Sequence, residues 1–218
     1  MAYDSIWLKE KQQRVRQEFP INLGLRVHRA ISWIKKAELE TDPDGRFIFL
    51  WIAFNACYAE YSEKSHNRPE RGRLKEFFRT IDALDSTNLI YEAIWEQYSQ
   101  AIRTILNNKY VFEPFWNHYN DISGHENWHE TFEKAKTLSL KALKDRRTSQ
   151  MLYIIFDRLY VLRNQLVHGG ATYDGAINRS QVKDGAAILS HLIPLFVDIM
   201  MNHPDQQWGK PFYPVTDR

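Results

Sequence analysis

A single cysteine, Cys57, is all the thiol chemistry in the chain, so no disulfide can form within it and nothing points to an oxidising compartment. Long hydrophobic runs are also missing. Stretches such as FIFLWIAFNACY at 47–58 fall short of a bilayer span. The opening residues, MAYDSIWLKEKQQRVRQEF, are charged and lack the apolar segment of a secretory signal, so a cytoplasmic protein with no membrane contact is the expectation. Neither charge sign is in excess: 29 Lys and Arg against 27 Asp and Glu leave +2, and any nucleic-acid partner must be met by local patches. There is no glycine-rich phosphate loop, no nucleophile elbow, no internal repeat and no low-complexity tract. Period-2 alternation bounded by hairpin turns is absent too, which argues against strands.

What remains is a chain of 218 residues, 44% of them hydrophobic, enough for one domain spanning 1–218 that buries its core without staples. Apolar residues recur at helical spacing almost throughout. The pattern predicts helices over about 4–18, 24–40 and 45–61, the last opened by Asp44 and apolar nearly all round, as a central buried helix would be. After a polar loop at 62–70, further helices are expected at 71–84, at about 87–107 behind a Ser86 cap, and at 127–144. Residues 108–126 between them are irregular. Another helix starts at Thr148 or Ser149 and runs to 168. Asn178 with Gln181 resembles a capping box for a last helix at 179–202, which Pro194 should bend. The tail at 203–218 is expected to dock through Trp208, Phe212 and Tyr213. The fold class is therefore all-α.

The helix ending in LRNQLVHGG, 162–170, carries the most informative chemistry. One face, Met151, Leu152, Ile155, Leu159, Leu162 and Leu166, reads as core. The opposite face carries Tyr153, Asp157, Tyr160, Asn164 and His168. It is aromatic and hydrogen-bonding where a solvated face would show Lys and Glu, so Tyr153, Asp157 and Tyr160 are expected at a homodimer interface. Gly169 fits the left-handed stop that ends a helix. A dipole-favoured basic residue followed by a glycine stop is the plain structural reading of these residues. They also suit RNA cleavage: histidine can take or give a proton near neutral pH, arginine can neutralise growing phosphate charge, and asparagine can fix the imidazole or a ribose hydroxyl. Five residues of ideal helix put Arg163 and His168 about 140° apart, so one copy looks like half a site and a symmetric second copy would complete it.

RNQLVHGG at the end of an apolar helix resembles the HEPN superfamily, whose signature is Arg, a polar residue that is often Asn, three to five residues and then His. Arg163, Asn164 and His168 match it, and SQVKDGAAILSHLIPLFVDIM behind them is also family-like. The resemblance is specific over about 145–202 and weaker over 24–110. It implies an up-and-down helical bundle over about 24–202, here with extra N-terminal and middle helices. It also implies dimerisation and metal-independent endoribonuclease activity by 2′-hydroxyl attack, with no cofactor. Arg163, Asn164 and His168 would be catalytic. HEPN ribonucleases commonly act as toxins or in defence, some with an antitoxin or regulatory protein, while other HEPN domains bind RNA, nucleotides or partner proteins without cutting. A toxin subgroup carries a tyrosine two residues after the histidine; here that position is Gly170.

Two basic clusters stand out, Arg68, Arg71, Arg73, Lys75 and Arg79, and then Lys141, Lys144, Arg146 and Arg147. The second leads into the motif helix and is the expected RNA-binding surface. HENWHE at 125–130 fits H-E-x-x-H, in which two histidines one helical turn apart could hold zinc. It follows a turn instead of lying within an apolar helix, so no metal ligand is assigned. Asn55 and Glu60 read as satisfied core polar groups, and Cys57 as a buried thiol.

Overall fold

A computed structural model describes residues 3–60, 70–176 and 178–214; the expected loop at 62–70 falls largely outside them, as does Arg68. The chain is all-α, with α1 Ser5–Val15, α2 Ile21–Glu38, α3 Pro43–Tyr58, α4 Glu70–Leu84, α5 Leu89–Glu92, α6 Ser99–Leu106, α7 Glu113–Tyr119, α8 Trp128–Lys144, α9 Thr148–Val167 and α10 Arg179–Asn202. α2, α3 and α10 pack against one another, and α9 lies against α3, α4, α6 and α8. Four fully buried phenylalanines join the two groups: Phe54 of α3, Phe78 of α4, Phe156 of α9 and Phe196 of α10. Phe156 sits 4.4 Å from Phe54, 4.9 Å from Phe78 and 5.9 Å from Phe196 between ring centroids, within the range of favourable aromatic contact. A satellite core of Phe112, Phe115, Trp128 and Phe132 forms beneath α7 and α8.

Caps explain where the helices begin, and not always at the expected residue. α3 is opened by Asp42, whose carboxylate accepts from the Gly45 N–H at 2.8 Å, with Pro43 at the first helical position. Asp44, expected in that role, lies inside the first turn. The helix expected over 87–107 is instead broken into α5, a π-helical turn at Ala93–Gln97, and α6. Its entry is fixed by Asp85, which accepts from the N–H groups of Leu89 and Ile90, and not by Ser86. Asn178 is the residue before α10, yet its side chain makes no cap bond there. The tail docks through Trp208, which is buried and donates to the His203 carbonyl, whereas Phe212 and Tyr213 are exposed.

α10 is long and apolar enough to cross a membrane by length and composition, but 78% of its most apolar window is buried inside the fold, as in a core helix. Gly185 lets it approach α9 and α3: a Cβ there would stand 2.9 Å from Leu159 Cδ2 and 2.9 Å from Phe47 Cε2, both in fully buried side chains. Gly185→Val is therefore expected to destabilise the fold by about 1–3 kcal/mol through overpacking, more than the gain in helix propensity returns. A lowered midpoint in urea denaturation with an unchanged slope checks this.

Candidate functional site

α9 stops as its sequence requires. Gly169 adopts a φ of 70°, the His168 N–H donates to the Asn164 carbonyl at 3.0 Å, and the Ala171 N–H returns to the Gln165 carbonyl at 3.1 Å. His168 is exposed at this end, while Arg163 and Asn164 are half-buried one turn below. Arg163 Nη1 donates to Asn164 Oδ1 at 2.9 Å, and the guanidinium lies 6.0 Å from the Tyr160 ring. The fold thus brings Arg163 and Asn164 together. Among the described residues His168 has no side-chain hydrogen bond to either, in keeping with the angular separation along one helix.

The segment after the motif is anchored on both sides. Arg179 of α10 pairs with Asp44 at 2.7 Å and Asp174 at 3.3 Å, and the Asp174 N–H donates to Asp44. An amide relay runs alongside: Asn108 donates to Asn178, Asn178 to Gln165, and Gln165 to the Tyr110 carbonyl at 2.6 Å. A cleft of about 730 Å³ opens beside this relay, bounded by Asn107, Asn108, Lys109, Tyr110, Trp116 and Asn178. Asn108, Lys109, Tyr110 and Trp116 lie in the region that the sequence marks only as irregular.

The stripe above the motif is met largely from within the chain. Lys75 of α4 lies over the Tyr153 ring at 4.7 Å, and Arg71 approaches Asp157 at 3.7 Å while also pairing with Glu113. Tyr160 lies 6.1 Å from Trp51 between ring centroids. Tyr153, Asp157 and Tyr160, expected to face a second copy, are half-buried against α4 and α3, because α4 supplies the charges that complement them.

The second basic cluster leads into α9, as its sequence position requires. Lys141 and Lys144 are exposed on α8, and Arg146 and Arg147 form the turn into α9. They sit at the opposite end of α9 from His168, about 30 Å away along the helix axis at 1.5 Å per residue. There Arg146 and Arg147, but not Lys141 or Lys144, line a groove of about 750 Å³ between α4, α8 and the first turns of α9, together with Lys75, Arg79, Tyr153 and Arg158 among others. Arg158 is only 2% exposed, and burial draws its pKa down to about 10. A cation one heptad beyond Met151, on the core face, is the sequence signal that could have singled it out.

The H-E-x-x-H residues do not share a helix face. α8 begins at Trp128, so only His129 is helical; it stacks on Trp128 at 3.5 Å between centroids. His125 lies in the preceding turn, 3.2 Å from Asn117 Nδ2, and Glu126 accepts from the Gly124 N–H. Cys57 is buried, with its thiol pushed up to about 12 by burial. Asn55 and Glu60 are half-buried.

No protein-family model matches the chain, and comparisons with curated proteins and with solved structures give no match.

Burial raises the Asp157 carboxyl above the ordinary carboxylate value, with Arg71 and Arg158 pulling the other way. A raised folded-state pKa means the protonated form fits the fold better, so stability is lost as pH rises from the ordinary value of 3.8 through the folded value. Asp157→Asn should remove that loss. Denaturation curves at acidic and neutral pH are expected to show the variant's stability changing less than the wild type's over that range.

Proposed function

We propose that this protein is a HEPN-type endoribonuclease that cleaves RNA without a metal ion or cofactor. The active unit is a homodimer in which two α9 ends form one cleft. The observation that carries the reading is the end of α9 itself: an exposed His168 follows a hydrogen-bonded Arg163–Asn164 pair by one turn, and Gly169 and the Arg179–Asp44 anchor fix where the chain leaves. In this reading the ribose 2′-oxygen attacks the adjacent phosphorus and gives up its proton to one His168. The 5′-oxygen leaves with a proton from the His168 of the second copy, producing a 2′,3′-cyclic phosphate and a 5′-hydroxyl. Arg163 meets the charge that grows on the non-bridging oxygens, and Asn164 holds Arg163 in place. A cytoplasmic toxin or defence effector, held in check by an antitoxin or regulatory protein, is the biological setting that suits such an activity.

A non-cutting HEPN module that binds RNA, a nucleotide or a partner protein is the second reading, favoured by the separation of His168 from Arg163 within one chain. Incubation with labelled single-stranded RNA in EDTA separates the two. The wild type is expected to release cyclic-phosphate ends. His168→Ala and Arg163→Ala should each lower the rate by about 10²-fold or more, the usual scale for a general acid–base or charge-stabilising group. Equal cutting by wild type and His168→Ala would overturn the assignment of His168 as catalyst, and no cutting by either alongside retained RNA binding would leave the second reading standing.

A further inference from the structure

The groove at the N-terminal end of α9 has the features of a built anion site. Five cationic side chains line it, Lys75, Arg79, Arg146, Arg147 and Arg158, against two carboxylates, Asp82 and Asp157. Of the five, only Arg147 makes an ion pair among the described residues, with Asp145 at 3.2 Å. Lys75 and Arg146 rest on aromatic faces, Tyr153 and Tyr91. Thr148, Ser149 and Gln150 also line the groove, so the positive end of a helix of 20 residues faces it. One N–H of that turn is already used, the Ser149 N–H donating to Asp82 at 3.0 Å.

Arg158 supplies the second, independent observation. Its Nε and Nη1 are sealed from solvent without any hydrogen-bond partner. Its guanidinium lies 4.3 Å from the Phe112 ring and 5.9 Å from Phe132, contacts that soften the burial of a cation but supply no acceptor. Arg26, buried to the same degree, shows what a satisfied guanidinium looks like in this fold: it donates to the carbonyls of Ala56, Cys57, Ala59, Gly209 and Lys210. Asp157 offers Arg158 charge but accepts no hydrogen bond from it. A buried guanidinium without acceptors is costly, so this arginine in the wall of a cationic groove calls for an anion.

We infer that this groove binds the terminal phosphate of a nucleotide, either free or at the 5′ end of an RNA chain. A phosphomonoester carries close to two negative charges at neutral pH and three terminal acceptor oxygens. It suits an excess of cations with a recessed arginine better than a singly charged internal diester does. The aromatic and aliphatic wall of Phe112, Tyr153, Ile154 and Leu138 gives the attached nucleoside an apolar surface. The site lies at the far end of α9 from His168 and does not depend on cleavage there.

The test is titration calorimetry on the full chain carrying His168→Ala, so that RNA stays intact. Adenosine 5′-monophosphate and a short 5′-phosphorylated RNA are expected to bind at least about tenfold more tightly than adenosine and the same RNA with a 5′-hydroxyl. Tighter binding of the phosphorylated RNA than of the mononucleotide identifies a chain-end site; comparable binding identifies a nucleotide site. Arg158→Met, which keeps the packing and removes the orphaned charge, should melt no lower than its parent without ligand and lose the preference for the phosphate. Arg146→Gly relieves a left-handed residue and should weaken phosphate binding severalfold without lowering the melting temperature. Equal binding of phosphorylated and hydroxyl-ended RNA, absence of any phosphate-dependent binding, or an unchanged preference in folded Arg158→Met would overturn the assignment.

Discussion

The contact among Phe54, Phe78, Phe156 and Phe196 decides how the rest of this molecule is arranged. Each ring comes from a different helix, all four are fully buried, and Phe156 is close to the other three. Because Phe156 lies near the middle of α9, the cluster fixes that helix at its midpoint and commits both ends to the surface. The core then surrounds α9 on the side of Met151, Ile155, Leu159 and Leu162. Its two ends become polar features some 30 Å apart, one built on His168 and Gly169, the other on Arg147 and the first helical turn. Neither end can shift along the axis without pulling Phe156 from its neighbours, so each is presented in fixed geometry.

Two buried arginines show how differently the fold treats the same chemical group. Arg26 occupies a core position of α2 and closes the end of α3, where helix carbonyls have no partner of their own, while also holding the chain near Gly209 and Lys210. Burial draws its pKa down to about 10, and five carbonyl oxygens offset the loss of water. Arg158 is pulled down equally by burial but faces aromatic rings instead of oxygens. The same desolvation with unequal compensation separates a structural arginine from one that awaits a ligand. The turn beside it carries a related cost. α8 ends with Arg146 in the left-handed conformation, its N–H on the Leu143 carbonyl and that of Arg147 on the Ala142 carbonyl, an arrangement that glycine makes more cheaply.

Much of this was legible in the amino-acid sequence because it is local. Gly169 marks the end of α9, the spacing of Val27, Ile31 and Ile34 marks α2, and the apolar run after Pro43 marks a helix with no exposed residue between Pro43 and Tyr58. What escaped is tertiary. Asp42 caps α3 instead of Asp44 because Asp44 is drawn to Arg179, 135 residues along the chain. Asn178 gives its side chain to Gln165 and leaves the cap unmade. The helix after Leu84 is interrupted by a π turn whose Trp95 donates to the Leu143 carbonyl of α8, a demand that no periodicity records. Arg158 was hidden for a plainer reason, since arginine usually marks a solvated position. Its place on the core face of α9 was the available signal, and Arg26 shows the same pattern on α2.

The packing also narrows how a second copy could complete the motif. A dimer formed along the middle of α9 would have to displace α4, because Lys75 and Arg71 already cover Tyr153 and Asp157, and Trp51 lies beside Tyr160. The end of the helix is uncovered: Val167 is 50% exposed, and Tyr173 in the segment that follows is 73% exposed. In the proposed dimer a two-fold axis through that end would set the exposed apolar side chains of one copy against those of the other. In that dimer the same axis would bring the histidine of one chain toward the arginine of its partner, supplying the angle that a single helix withholds. An interface there would be small unless the segment between Gly169 and Asn178 joins it. The Asp44–Arg179–Asp174 cluster ties that segment to the fold at Asp174.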